Sequence, residues 1–420
     1  MKKIVLSINN VFYYGWVIVI LSAMTFFLSA PGQTYSISVF IKVYIEEFGL
    51  SSTQLSLAYT IATTISGTLL IFTGKFIDKF GSRKVLVVVA MMLGFSTFFN
   101  SFVSSIYMIF FGFFLLRYFG QGSMTLIPNI LVPQWFEKKR AIAVSFAGIG
   151  GLAAMFLVPS LNLYMISSIG WENAWRVWSL ILIVGFVPIV ILLTADRPED
   201  FGLTIENSIP STNDTIEHAL LEIEKKSFSI KQALKTKEFW IVGMISMIPA
   251  MFSTGVTFHF FPMMELRGLS NETAAVILGF MALPALALPF GLNVLVDIFK
   301  DKYILLTTLS MIIISMIFLI VGVTNMVTAL IFILFYGFAV AVQSLTTNVI
   351  WPNYFGRKHL GTIRGAATFF MVIGSALGPL PFGLSVDYTG DYNLAIIGMI
   401  IFTTTALILS ALIDKPVKDY

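Results

Sequence analysis

This chain is short of charge and has no cysteine. Asp, Glu, Lys and Arg make up 11% of its 420 residues, against about 25% in a water-soluble domain. A chain so depleted cannot cover a soluble fold with solvated side chains. The absence of cysteine excludes a disulfide, a thiol nucleophile and a thiolate metal site. Histidines number only three, and the sequence offers no Ser/His/Asp set and no metal-ligand cluster. An enzyme is therefore disfavoured, and neither metal nor cofactor is expected. Acid is also missing where it would be most costly: none of the 22 Asp and Glu residues falls deep in an apolar stretch.

What is present is apolar sequence. The aliphatic, aromatic and Met pool reaches 57%, with 40 Phe and 19 Met. Apolar stretches recur near the ~20 residues that cross a hydrocarbon core. Twelve spans are expected, at 13–40, 53–74, 84–104, 107–134, 139–166, 172–194, 239–262, 272–296, 303–323, 327–350, 361–386 and 392–413. Lys2-Lys3 precede the first, but it is long and no small-x-small site follows it, so an uncleaved span is the better expectation. The lipid bilayer is thus a partner. The net charge of +4 is topology rather than a nucleic-acid patch, because 22 of 26 Lys and Arg fall on one face of the twelve-span scheme. Only Lys42, Arg176 and Arg267 lie near the other face, and Arg117 lies inside a span. The positive-inside rule then places both termini in the cytoplasm of a plasma membrane.

The chain is also doubled. Phe48-Gly49-Leu50-Ser51 lines up with Arg267-Gly268-Leu269-Ser270 at an offset of 219, which also carries Asp78 onto Asp297, Asn129 onto Asn348, Pro133 onto Pro352 and Phe136 onto Phe355. The expected organisation is a six-helix bundle at 1–195, a polar linker at 196–237 and a second six-helix bundle at 238–420. The fold class is an all-α membrane protein with two pseudo-symmetric bundles.

Between spans two and three stands Gly74-Lys75-Phe76-Ile77-Asp78-Lys79-Phe80-Gly81-Ser82-Arg83-Lys84. Gly74 suits a close helix approach, Asp78 ends a span, Gly81 suits a tight turn, and the cations suit a membrane surface. This loop resembles the G-x-x-x-D-R-x-G-x-R-R/K signature of the major facilitator superfamily, departing in Lys79 where Arg is usual. The resemblance implies a charge latch between halves, with Asp78 holding a neighbouring helix in the outward-facing state. The echo Asn293-Val294-Leu295-Val296-Asp297 keeps the acid but lacks the glycines, and should latch more weakly. Span four carries Arg117-Tyr118-Phe119-Gly120-Gln121-Gly122, which resembles the family's R-x-x-G/Q-x-G motif. An intramembrane guanidinium is expensive and faces a bundle interior or a wet cavity. Arg117 either meets a substrate anion or a gate, or it bonds helix-end carbonyls; the sequence leaves both open.

Other polar residues within spans complete the candidate set. Pro31-Gly32 can open span one where Gln33, Thr34 and Tyr35 offer contacts to a solute. Tyr59, Gln121, Thr257, Tyr336 and Gln343 are further cavity candidates. His259, near the outer end of span seven, is expected to be wetted. The repeat pairs Asn129 with Asn348, either as a symmetric contact near the cytoplasmic gate or as ordinary interhelical glue, and spans five and eleven carry glycine faces for close crossing (Gly148, Gly150 and Gly151; Gly374 and Gly378).

Tyr13-Tyr14-Gly15-Trp16, Gln134-Trp135-Phe136-Glu137-Lys138-Lys139-Arg140, Gly170-Trp171 with Ala174-Trp175, and Arg197-Pro198-Glu199-Asp200-Phe201-Gly202 together resemble the monocarboxylate-transporter and oxalate/formate-antiporter branch. That branch implies a small organic anion, often moved with a proton, in a rocker-switch cycle. This sequence lacks the branch's basic residue in span eight, and Arg364 lies only at the start of span eleven. A dianion would have only Arg117 to meet it. The expectation is a monomeric carrier of a small organic monoanion. The alternative is efflux of amphipathic, drug-like compounds, and a non-transporting receptor or a channel fits less well.

Overall fold

The computed structural model describes residues 2–203, 228–284, 301–355, 360–412 and 416. They form two compact units, Met1–Ile209 and Pro210–Tyr420. Among the described residues the regular structure is helical throughout, with no strand. The first unit runs α1 (Lys2–Asn9), α2 (Gly15–Leu28), α3 (Thr34–Phe48), α4 (Ser52–Phe80), α5 (Ser82–Asn100), α6 (Ile106–Leu115), α7 (Thr125–Trp135), α8 (Arg140–Ile169), α9 (Trp171–Leu180) and α10 (Val187–Leu193). The second runs α11 (Ile230–Ala233), α12 (Lys237–Phe258), α13 (Phe260–Leu266), α14 (Asn271–Phe280), α15 (Asp301–Gly322), α16 (Met326–Phe355), α17 (Leu360–Leu377), α18 (Pro379–Thr389) and α19 (Asn393–Leu412). Nine segments among the described residues are long and apolar enough to cross a bilayer. Of the other expected spans, the fourth is split by a π-helical stretch at Leu116–Met124, and residues 285–296 of the eighth lie outside the described residues. The tenth is the 30-residue α16.

The doubled sequence specifies doubled local structure. Gly49 and Gly268 both adopt positive φ, at 62° and 78°, a conformation that a Cβ disfavours. Two residues on, Ser51 and Ser270 each cap a helix by accepting a backbone N–H, from Gln54 at 3.2 Å and Thr273 at 3.3 Å. At Ser51 the Gln54 side chain returns the bond, closing a capping box. The same offset organises the interior. Leu131, Val132, Trp135 and Phe136 sit in a buried cluster of the first unit. Their counterparts Ile350, Trp351, Tyr354 and Phe355 sit in a buried cluster of the second.

Glycines set the closest helix approaches. A Cβ added at Gly150 on α8 would overlap the Ala23 carbonyl oxygen of α2, and one at Gly374 on α17 would overlap that of Met247 on α12. Large side chains instead point outward: Ile71, Val184 and Val321 are 65%, 66% and 79% exposed. Those faces require a hydrocarbon solvent, and the helices already satisfy their backbone groups internally, as a bilayer demands.

Candidate functional site

Span one breaks between α2 and α3. Pro31 ends the regular hydrogen bonding, residues Ala30–Gly32 form a short 3-10 turn, and Gln33 is extended, at φ −86° and ψ 148°. Opposite the break lies the π-helical stretch Leu116–Met124, a wider geometry that recurs at functional sites. The two segments touch through backbone. A Cβ at Gly32 would overlap the Leu116 carbonyl oxygen and lie 2.6 Å from the Gly120 Cα and 2.7 Å from the Gln121 nitrogen.

Arg117 occupies this junction and is 2% exposed. Its Nε donates to the Thr63 hydroxyl at 3.1 Å, and its Nη1 donates to the Gly32 carbonyl at 3.2 Å and the Thr34 hydroxyl at 3.3 Å. The guanidinium carbon lies 4.9 Å from the Tyr59 ring centroid. The Tyr59 and Thr34 hydroxyls are 2.7 Å apart. The cation therefore rests on dipoles: two hydroxyls, an aromatic face, and a carbonyl freed where a helix ends, the terminus that favours positive charge. Its Nη2 has no protein partner among the described residues. No Asp or Glu among them is buried, so no carboxylate neutralises it in the interior.

The other candidates divide by unit. Gln33 donates through Nε2 to the Ser29 hydroxyl at 3.1 Å, and Tyr35 is half-buried beside it on α3. The Gln121 carbonyl accepts the Thr125 hydroxyl within its own segment. In the second unit, Tyr336 is buried on α16 and donates to Ser253 on α12 at 2.6 Å, with Thr257 buried one turn further along. Asn129 bonds its own helix, donating to the Thr125 carbonyl at 2.8 Å. Asp297 and the side chains of Gln343 and Asn348 lie outside the described residues.

Two expectations are corrected. His259 is fully buried rather than wetted: the chain turns between α12 and α13, placing its Nε2 3.1 Å from the Pro379 carbonyl oxygen and its ring over Phe382 and Tyr392. Gly74 mediates no close approach, since a Cβ there would meet nothing within 4 Å. The rest of the signature loop divides. Asp78, Lys79 and Lys84 are exposed, and Asp78 has no bonding partner among the described residues. Arg83 is engaged within its own bundle. Its backbone N–H donates to Asp196 Oδ1 at 2.7 Å, and its Nη2 donates to the Ile191 carbonyl near the end of α10 at 2.6 Å. Gly81 is needed there twice over, with φ +85° and a Cβ position 2.8 Å from Asp196 Oδ2. Asp196 thus caps the start of α5, where a carboxylate is favourable.

Asp196 and Thr63 were not distinguishable as partners from sequence. Nor was Asn162, which bridges three spans by donating to Ser36 Oγ at 2.8 Å and accepting from Trp178 Nε1 at 2.8 Å.

A polytopic helical chain with a duplicated sequence and a buried arginine at a broken helix has the features of a doubled-bundle membrane transporter. The family model described as "Major Facilitator Superfamily" matches residues 15–379, and the chain belongs to that family; it is not an enzyme. It is 23% identical over 385 residues to a probable sulfoacetate transporter of Cupriavidus necator, covering 86% of this chain and 84% of that one. It is 24% identical over 179 residues to monocarboxylate transporter 9 of Mus musculus, a match spanning 43% of this chain and 34% of that protein. Among solved structures, a bacterial homologue of the human lysosomal transporter Spinster superposes with a TM-score of 0.70 at 13% identity, covering 95% and 96% of the two chains. A D-xylose–proton symporter gives 0.66 at 17% identity, covering 95% and 97%. These likenesses establish the twelve-helix fold.

Proposed function

We propose that this transporter moves a small organic monoanion by alternating access, with Arg117 as the group that meets the negative charge. The observation that carries this is a buried guanidinium that, among the described residues, has one nitrogen without a hydrogen-bond partner and no buried acid beside it. At about 4 Å and an effective dielectric near 20, an anion gains roughly 4 kcal/mol from such a charge. Gln33, Thr34, Tyr35 and Tyr59 supply hydroxyl and amide contacts around it. The names of the relatives support an anionic solute, sulfoacetate with two negative charges and the monocarboxylates with the single charge proposed here. A single cation favours a single negative charge. In this reading the bundles 1–195 and 238–420, joined by the linker 196–237, work in the cell membrane as a monomer; the sorting of 22 of 26 cations to one side of the expected spans supports cytoplasmic termini. Asp78 and the cations beside it act as the conformational latch.

Uptake into proteoliposomes tests this. Labelled pyruvate or lactate should accumulate and be competed by other monocarboxylates, and runs with and without a pH gradient report any proton coupling. Absence of uptake of every monoanion, with resistance to hydrophobic toxins on expression, would instead favour efflux of amphipathic compounds.

A further inference from the structure

A cavity lies within the first unit, beside the π-helical stretch that carries Arg117. It encloses about 530 Å³ between spans two, three and four, well within the range of small-molecule sites. Its walls are apolar, formed chiefly by Phe76 and Phe80 of α4, Val88 and Met92 of α5, and Phe119 of the π-helical stretch. Phe76, Phe80 and Val88 are 49%, 47% and 57% exposed, so the groove is open along one side, where large apolar side chains of a membrane protein are exposed. One end is different. Lys84 lines the groove there, exposed and with no bonding partner among the described residues. The ammonium of Lys79 stands over the Phe80 ring, 5.2 Å from its centroid. Deeper in, Thr73 donates to the Tyr118 hydroxyl at 3.0 Å. That bond leaves the phenol's own proton free to donate, and Tyr118 lines the groove.

We propose that this groove binds an anionic phospholipid, with an acyl chain against Phe76, Phe80 and Val88 and the headgroup phosphate at Lys79 and Lys84. The charge pattern selects this occupant. An apolar trough with Lys84 in its lining and the Lys79 ammonium beside it on Phe80, neither in an ion pair among the described residues, matches a molecule with a long chain and a terminal anion. A neutral amphiphile would leave both lysines unanswered, and a small anion would leave the trough unfilled. The Tyr118 phenol stands where it can donate to an ester carbonyl. The site gives the signature loop a role at the membrane surface that is independent of any latch. Because Phe119 and Arg117 share one π-helical stretch, lipid in the groove also braces the segment that carries Arg117.

Native mass spectrometry of the detergent-purified full chain tests this, with phosphatidylglycerol and phosphatidylcholine of matched chains added separately. The wild type should retain one phosphatidylglycerol with roughly thirty-fold preference, the ratio that two surface lysines give at their usual contribution. Replacing both lysines, Lys79→Gln with Lys84→Gln, should abolish the preference while leaving residual binding of both lipids. Val88→Trp, at an exposed position that the fold tolerates, should reduce retention of both lipids at least ten-fold by filling the trough. Equal retention of the two lipids by the wild type, persistence of the preference in the double variant, or unaltered retention by Val88→Trp would each overturn the proposal. Displacement of bound phosphatidylglycerol by an uncharged monoacylglycerol at equal concentration would do so too, identifying a chain-only groove.

Discussion

Gly32→Ala should damage this protein out of proportion to one methyl group. The three atoms nearest the added Cβ all belong to backbone: the Leu116 carbonyl oxygen, the Gly120 Cα at 2.6 Å and the Gln121 nitrogen at 2.7 Å. Flexible side chains could rotate away, but backbone cannot. Ordinary carbon contact needs about 3.5 Å, so the broken segment of span one and the π-helical stretch must separate by roughly 1 Å. Overpacking of this kind costs about 1–3 kcal/mol. The separation also stretches the 3.2 Å bond from Arg117 Nη1 to the Gly32 carbonyl, a charged hydrogen bond worth about 1.5–3 kcal/mol. Together they lower Tm by on the order of 10 °C. Gly74→Ala is the control, because nothing lies within 4 Å of its Cβ position. Replacing a helical glycine by alanine there should leave stability unchanged or raise it by up to about 1 kcal/mol. Thermal unfolding of both variants in detergent, followed by intrinsic fluorescence, measures the contrast. A Gly32→Ala protein melting within about 2 °C of wild type would refute the close-approach argument. So would a Gly74→Ala protein as unstable as Gly32→Ala.

Other substitutions probe separate parts of the structure. Asp196→Ala removes the acceptor for the Arg83 backbone N–H and should cost about 1 kcal/mol, whereas Asp196→Asn keeps an acceptor and should cost less; chemical denaturation distinguishes them. Asn162→Leu leaves the buried Trp178 indole N–H without its 2.8 Å acceptor and should cost about 1–3 kcal/mol, measurable as a Tm shift. Ser51→Ala and Ser270→Ala remove equivalent helix caps in the two bundles. Each should cost about 1 kcal/mol, with effects that add in the double variant.

Much of the architecture was legible before any coordinates. Apolar run length anticipates the nine segments that are long and apolar enough to cross a membrane among the described residues, and the 219-residue echo anticipates repeated local structure, because Gly49 and Gly268 need the same backbone. Arg117 was also legible, since a guanidinium within a span stands out by its desolvation cost. Its partners were not. Thr63, Thr34 and Tyr59 come from spans whose rotation about their own axes leaves little trace in a nearly uniform apolar pattern. His259 departs from expectation for a related reason. Nearness to a span end suggests water, but the turn after α12 tucks the ring beneath Pro379 and Phe382. Gly74 shows the converse: a glycine in a signature loop need not be a packing glycine, and α4 presents it to open space. Arg83 differs again, because its partners on α10 and at Asp196 lie more than a hundred residues away.

The most direct test concerns the charge of Arg117. Monocarboxylate binding to purified Arg117→Ala and Arg117→Lys proteins, measured beside wild type by calorimetry, separates charge from shape. Loss of roughly 4 kcal/mol of attraction predicts binding about a thousand-fold weaker in Arg117→Ala. Arg117→Lys keeps the charge but not the fork of donors, and should weaken binding about ten-fold. A folded Arg117→Ala protein that binds the anion with unchanged Kd would contradict the account.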